Sequence, residues 1–158
     1  MGTGKSAVGS ELAKKKKCKF VDLDGLIELK EKRSIPDIFA QEGEPYFRRA
    51  ESRVLKEIAK ERDFVVGCGG GIVIEAKNIK AMKESGIVIC LTAKPEVILK
   101  RTCGSTHRPL LNVENPKERI KLLLKLRSPY YAKADKTIDT SKLSIKEVVA
   151  RILRSVKI

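Results

Sequence analysis

The 158-residue chain predicts an α/β fold in which a parallel sheet is sandwiched between helices. Three observations carry that prediction. Short apolar runs with strand character alternate with segments of helical periodicity, the order expected when parallel strands are joined by helical crossovers. Ile87-Val88-Ile89-Cys90-Leu91 is apolar throughout, as a strand covered on both faces must be. Gly2-Thr3-Gly4-Lys5-Ser6 matches the second half of the phosphate-binding pattern G-x-x-x-x-G-K-S/T, which delivers a strand into a helix.

The glycines of that loop let backbone N–H groups close round a polyphosphate, with Lys5 for the outer phosphates and the Ser6 hydroxyl for Mg²⁺. Ala7, Val8, Leu12 and Ala13 follow at helical spacing, so the loop runs into a helix N-terminus that favours an anion. Cys18 to Asp22 has strand character and ends in Asp22-Leu23-Asp24. Alternate residues of an extended strand point to one side, so the two carboxylates are expected to project together from the ligand-binding end of the sheet. Mg²⁺ requires oxygen ligands and a phosphoryl acceptor requires a base, which makes this pair a functional candidate.

Gly25 to Lys32 reads as a short helix, and Ser34-Ile35-Pro36-Asp37 opens another that Gly43 is expected to break. From Pro45 to about Arg62, Phe47, Ala50, Val54, Leu55 and Ile58 form one apolar helix face. Arg48 and Arg49 stand near its start, where cations oppose the dipole, and Glu44 and Glu51 are within pairing distance along the helix. Phe64-Val65-Val66 is a buried-strand candidate running into Gly69-Gly70-Gly71, a turn that lets a ligand approach the backbone closely. Ile79 and Met82 mark a helix ended by Gly86, the strand at 87–91 follows, and Pro95 starts a helix reaching Arg101-Thr102.

Residues 103–114 have little periodicity and contain His107 and Arg108; a loop this long in a compact domain is commonly functional, and a mobile arginine suits the closing of a lid over a phosphoryl group. Asn115-Pro116-Lys117-Glu118 is a capped helix start, and Ile120, Leu123, Leu124 and Leu126 carry that helix to Arg127-Ser128-Pro129-Tyr130-Tyr131. Lys136 to Asp139 reads as a last strand. Ser144 and Glu147 then cap a final helix bearing Ile145, Val148, Val149, Ile152 and Leu153.

Composition narrows the class. The chain is 42% apolar with no linker of biased composition, which fits one domain over residues 1–158. Neither a membrane-spanning run nor a signal peptide is evident, so a cytoplasmic protein is expected. The four cysteines show no C-x-x-C pairing and read as buried thiols. A net charge of +14 raises the possibility of nucleic-acid binding, but the lysines fall on helix faces without interleaved aromatics and suit anionic small substrates better.

Taken together, G-T-G-K-S, F-V-D-L-D, D-I-F-A-x-x-G-E-x-x-F-R-R-x-E, G-G-G, R-P-L-L and L-R-S-P-Y-Y, in that order, resemble shikimate kinase from Gly2 to the final helix. The resemblance implies a three-layer P-loop kinase fold and transfer of the γ-phosphate of ATP to the 3-hydroxyl of shikimate, with Mg²⁺. It assigns Gly2, Thr3, Gly4, Lys5, Ser6 and Ala7 to the nucleotide phosphates, Ser6 and Asp22 to the metal, and Asp24 to the acceptor hydroxyl. Arg48 and Arg127 would clamp the substrate carboxylate, with Gly69, Gly70 and Gly71 turned towards the substrate. Arg108 would be the lid arginine and Arg101 would pack on the adenine. Residues 24–62 become the substrate-binding segment and 103–114 the lid of a monomer with no nucleic-acid or membrane partner.

The family opens with a central strand and a first loop glycine that this sequence does not contain. The expectation is a start roughly ten residues upstream, and, for the chain as written, a gap in the sheet with poor stability and weak activity. Three other readings stay open at this point: a related kinase with another hydroxylated acceptor, a catalytically impaired truncated form, and a basic nucleic-acid binder on a degenerate P-loop scaffold.

Overall fold

A computed structural model describes residues 2–103 and 113–156. Its elements follow in the order α1 (Lys5–Lys16), β1 (Lys19–Asp22), α2 (Leu23–Glu31), α3 (Ile35–Ile58), β2 (Phe64–Gly67), a 3₁₀ turn (Ile72–Ile74), α4 (Ala76–Ser85), β3 (Ile89–Thr92), α5 (Pro95–Thr102), α6 (Pro116–Tyr131), β4 (Lys136–Asp139) and α7 (Ile145–Ser155). Local chemistry sets most boundaries. Ser34 and Asn115 accept hydrogen bonds from Asp37 and Glu118 backbone N–H groups, and Ser144 with Glu147 completes a reciprocal capping box. Pro36 and Pro116 sit in first turns, where a missing N–H costs nothing.

All pairing is parallel. β1 lies beside β2 in the register Lys19↔Phe64 to Asp22↔Gly67, and β3 beside β4 from Ile89↔Lys136 to Thr92↔Asp139. These are two separate two-stranded sheets, since no hydrogen-bonded ladder among the described residues joins β2 to β3, and the break falls as the gap expected for the chain as written. Helices cover both. Val8 of α1 packs with Val148, Val149 and Ile152 of α7 over Ile138, Ile89 and Leu91. Leu23, Ile27, Ile38, Phe47, Val54, Leu55 and Ile72 form a second core against Val66, and Ile98 with Ile120 joins α5 to α6.

Several expectations are corrected. Gly43, non-helical at φ 79° and ψ 173°, breaks the run Ile35–Ile58 as expected, but the stretch after it stops at Ile58, short of Arg62. The strand expected at 87–91 occupies 89–92. Leu126 is exposed, and Arg127 takes the buried place in the stripe of Ile120, Leu123 and Leu124. Spacing alone marks that place: 120, 123, 124 and 127 share a helix face. Asp24 does not extend the strand, because Leu23 already begins α2.

Candidate active site

The carboxyl ends of the strands gather the polar residues. Gly4 stands in the left-handed region at φ 87° and turns the chain into α1 without a side-chain cap, which leaves the first N–H groups of α1 directed at whatever lies before it. Two contacts tie this loop to the far sheet. The Thr140 hydroxyl donates to the Thr3 carbonyl at 3.1 Å, and Arg101 Nη1 reaches the Gly2 carbonyl at 3.5 Å while also donating to Thr140 Oγ1 at 3.0 Å.

Ser6 and Asp22 come together. The Ser6 hydroxyl donates to Asp22 Oδ2 at 2.7 Å, and Asp22 caps α2 by accepting from the Asp24 N–H at 3.2 Å. Thus Asp22 and Asp24 share a site through a helix cap, where the sequence pattern suggested strand alternation. The two oxygens of Ser6 and Asp22 form a hard-donor pair beside the phosphate loop. Among the described residues no three His, Cys, Asp or Glu side chains converge on a metal position.

A second group of charges surrounds the glycine turn that follows β2. Arg48 Nη1 donates to Glu51 Oε2 at 2.8 Å, and its Nε and Nη2 both reach Glu44 Oε1, at 3.1 and 2.8 Å. Both acids on the helix are therefore used. A Cβ on Gly71 would lie 2.5 Å from the Arg48 guanidinium nitrogens, and one on Gly69 would lie 3.2 Å from both Asp24 Oδ1 and Glu51 Oε1. The glycine turn is what allows the backbone to pass this close to an arginine and two carboxylates. The Tyr131 hydroxyl donates to the Gly70 carbonyl at 2.9 Å and fixes the turn from the end of α6.

Glu51, Arg127, Tyr131 and Thr140 are the functional candidates that motif reading underrates. Glu51 is fully buried, and burial raises its carboxyl to about 7; the Arg48 ion pair opposes the shift, the Asp24 carboxylate adds to it and Arg127 again opposes it. Its other oxygen has no hydrogen-bond partner among the described residues. The sequence does hold a signal: an acid in the middle of the stripe Phe47, Ala50, Val54 and Leu55 has to be buried. The resemblance makes Arg127 a clamp, but not a buried charge, 7% exposed and within electrostatic reach of Glu51 and Tyr131. Burial also pushes the Cys68 thiol up to about 12, so it stays protonated at the edge of the site.

The expected site residues thus fall into two clusters that meet where the Asp24 N–H donates to Asp22, Gly2 to Ala7 with Asp22 in one and Asp24, Arg48, Gly69 to Gly71 and Arg127 in the other. Arg101 lies beside the phosphate loop with its guanidinium engaged by Thr140. Arg108 lies outside the described residues, as does most of the expected lid.

The family model for shikimate kinase matches residues 1–157. The chain belongs to the shikimate kinase family. It is an enzyme with shikimate kinase activity, in a family that uses ATP. Shikimate kinase from Thermodesulfovibrio yellowstonii is 45% identical over 98% of this chain and 89% of its own length, and that from Thermoanaerobacter pseudethanolicus is 41% identical over 98% and 91%. Among solved structures, shikimate kinase from Acinetobacter baumannii in complex with shikimate superposes with a TM-score of 0.94 at 40% identity, covering 98% of this chain and 87% of that one. The α/β fold with parallel strands flanked by helices is the fold of the family. Among the described residues no helix is long and apolar enough to cross a membrane.

Proposed function

We propose that this cleft transfers the γ-phosphate of ATP to the 3-hydroxyl of shikimate in the cytoplasm, with residues 1–158 acting as one monomeric domain. The observation that carries the assignment of roles is the division of the cleft into a phosphate half and a carboxylate-and-hydroxyl half. The loop N–H groups and Lys5 take the β and γ phosphates, and Arg101 is assigned to flank the adenine. The Ser6 and Asp22 oxygens would hold Mg²⁺, which when bound neutralises phosphate charge. Asp24 holds the acceptor hydroxyl and receives its proton as the hydroxyl oxygen bonds to the γ phosphorus and the bond to the β–γ bridging oxygen breaks, releasing ADP.

Arg48 and Arg127 bind the substrate carboxylate, and the Gly69 to Gly71 backbone closes the floor of the pocket. Holding two carboxylates, Glu44 and Glu51, against Arg48 aims its guanidinium before substrate arrives. Arg108 is assigned to cover the phosphoryl group on closure. The work is positioning and charge stabilisation, which is what phosphoryl transfer demands.

The test is ADP release in the presence of ATP, Mg²⁺ and shikimate, compared with the Asp24→Asn variant. We expect shikimate-dependent turnover, lowered about 100- to 10,000-fold in kcat by the variant with little change in the KM for ATP. Turnover with gluconate or a nucleoside and not with shikimate would overturn the acceptor. An unchanged kcat would remove Asp24 from its role.

A further inference from the structure

We propose that Tyr131 is a positioning residue for Arg127: its hydroxyl, anchored on the Gly70 carbonyl, fixes the direction of the guanidinium before substrate arrives. The inference rests on the reading of Arg127 as a ligand of the substrate carboxylate. The two arginines of that reading are held in different ways. Arg48 pairs with Glu44 and with Glu51, each at 2.8 Å, while Arg127 enters no direct ion pair among the described residues. It is nevertheless buried, 7% exposed. Glu51 attracts it electrostatically, but a charge at a distance has no preferred angle, whereas a hydrogen bond does. A guanidinium that grips a carboxylate through two parallel N–H groups needs its plane set as well as its place.

Tyr131 stands four residues after Arg127 on α6, so the two side chains share a helix face. A phenol has one proton to give and lone pairs with which to receive. The Tyr131 proton goes to the Gly70 carbonyl at 2.9 Å, which leaves the oxygen able only to accept on its other side. A guanidinium only donates, and Arg127 hydrogen-bonds to the Tyr131 hydroxyl. The order Arg127 to Tyr131 to Gly70 is therefore the one arrangement of protons that these three groups allow. Burial raises the hydroxyl above the usual phenol range, against the opposing charge of Arg127, so the proton stays in place near neutral pH. Bonds in such a chain polarise and strengthen one another.

The anchor is itself part of the site. Gly70 lies between the two glycines whose backbone passes close to Asp24, Glu51 and Arg48. The peptides are trans, so the C=O and N–H of the unit joining Gly70 to Gly71 point in opposite directions. Holding the carbonyl towards α6 turns the Gly71 N–H away from it. One hydroxyl thereby ties α6 to the turn after β2, and a movement of that turn is passed to Arg127. The neighbouring Tyr130 is engaged elsewhere, with Lys133 Nζ 5.6 Å from its ring centroid, which makes it a matched control.

The experiment uses Tyr131→Phe, which removes the hydroxyl and keeps the ring, beside Tyr130→Phe and Arg127→Met, the last both alone and combined with Tyr131→Phe. The readouts are steady-state kinetics with ATP, Mg²⁺ and shikimate, the Tm, and the NMR signals of the Arg127 guanidinium N–H groups in substrate-free protein. We expect Tyr131→Phe to raise the KM for shikimate about 10-fold, with kcat and the KM for ATP changed less than about 2-fold. Exchange of the Arg127 N–H groups with water should quicken by about 10-fold or more. Tyr130→Phe should change none of these. In the Arg127→Met background, Tyr131→Phe should alter the KM by less than about 2-fold. A full-sized effect in that background would overturn the proposal, as would unaltered Arg127 signals in Tyr131→Phe. A Tyr131→Phe protein with a lower Tm and an unchanged KM would reduce Tyr131 to a structural contact and overturn it too. An unchanged KM in Arg127→Met, with altered signals in Tyr131→Phe, would instead overturn the reading of Arg127 as a substrate ligand while its aiming by Tyr131 stands. The spectrum of Tyr131→Phe decides the aiming alone should Arg127→Met fail to fold.

Discussion

Arg48 shows how a residue is made fit for its work by its neighbours. Its three guanidinium nitrogens are engaged by Glu44 and Glu51, and Gly71 leaves the space in which it lies. A lysine has the charge but not the fork, so Arg48→Lys loses a bidentate pairing worth about 1.5–3 kcal/mol. The expected outcome is a rise of roughly 10- to 100-fold in the KM for shikimate with kcat changed much less, measured by steady-state kinetics; an unaltered KM would remove Arg48 from the substrate site. Glu51 makes the second prediction at this scale. Its carboxyl is raised to about 7 in the folded chain from the ordinary 4.5, so between those values the folded state holds the extra proton. Its contribution to stability is present in full below pH 4.5 and is lost as pH rises through 7, an effect on the order of 3 kcal/mol. Chemical denaturation across that range should show this loss, and Glu51→Gln should flatten it. A Gln variant with the same slope would mean that another group titrates there.

At the scale of elements, the helices carry their own start signals and the strands do not. α7 begins on a complete capping box, with the Ser144 hydroxyl accepting from the Glu147 N–H and the Glu147 carboxylate accepting from the Ser144 N–H at 2.8 Å. Ser144→Ala is expected to cost about 1 kcal/mol of stability and to leave kcat and KM unchanged, since α7 supports the β4 side of the fold far from Arg48. Loss of activity in a folded variant would contradict that division. The third helix shows the opposite case. Gly43 separates two apolar stretches, as its place in the sequence suggests, but only packing decides that Ile38 before the break and Phe47 after it enter the same core. The strands are four residues each, too short for periodicity to place their ends, which is why β3 lies two residues later at its start than its apolar run suggests.

At the scale of the whole molecule, the two strand pairs leave a space of about 710 Å³ bounded by α1, α3 and α4, and the Thr140 hydroxyl, donating to the Thr3 carbonyl, ties the phosphate loop to the β4 side of the fold. The net charge of +14 acts at the same scale, drawing anionic substrates towards the cleft without fixing where they bind.

What the residues determine alone is whatever depends on neighbours in sequence. The glycines, Lys5 and Ser6 of the loop, the caps at Ser34, Asn115 and Ser144, and the apolar faces of α3 and α7 are local patterns, and local stereochemistry makes them legible. The ordered set of motifs is enough to indicate the family. Tertiary structure decided what depends on residues distant along the chain: that Glu51 lies buried under Arg48 and near Arg127, that Tyr131 holds Gly70, that Thr140 ties the loop to β4, and that the strands form two pairs with a space between them. Burial and electrostatics are sums over everything nearby, and no single stretch of sequence contains those neighbours.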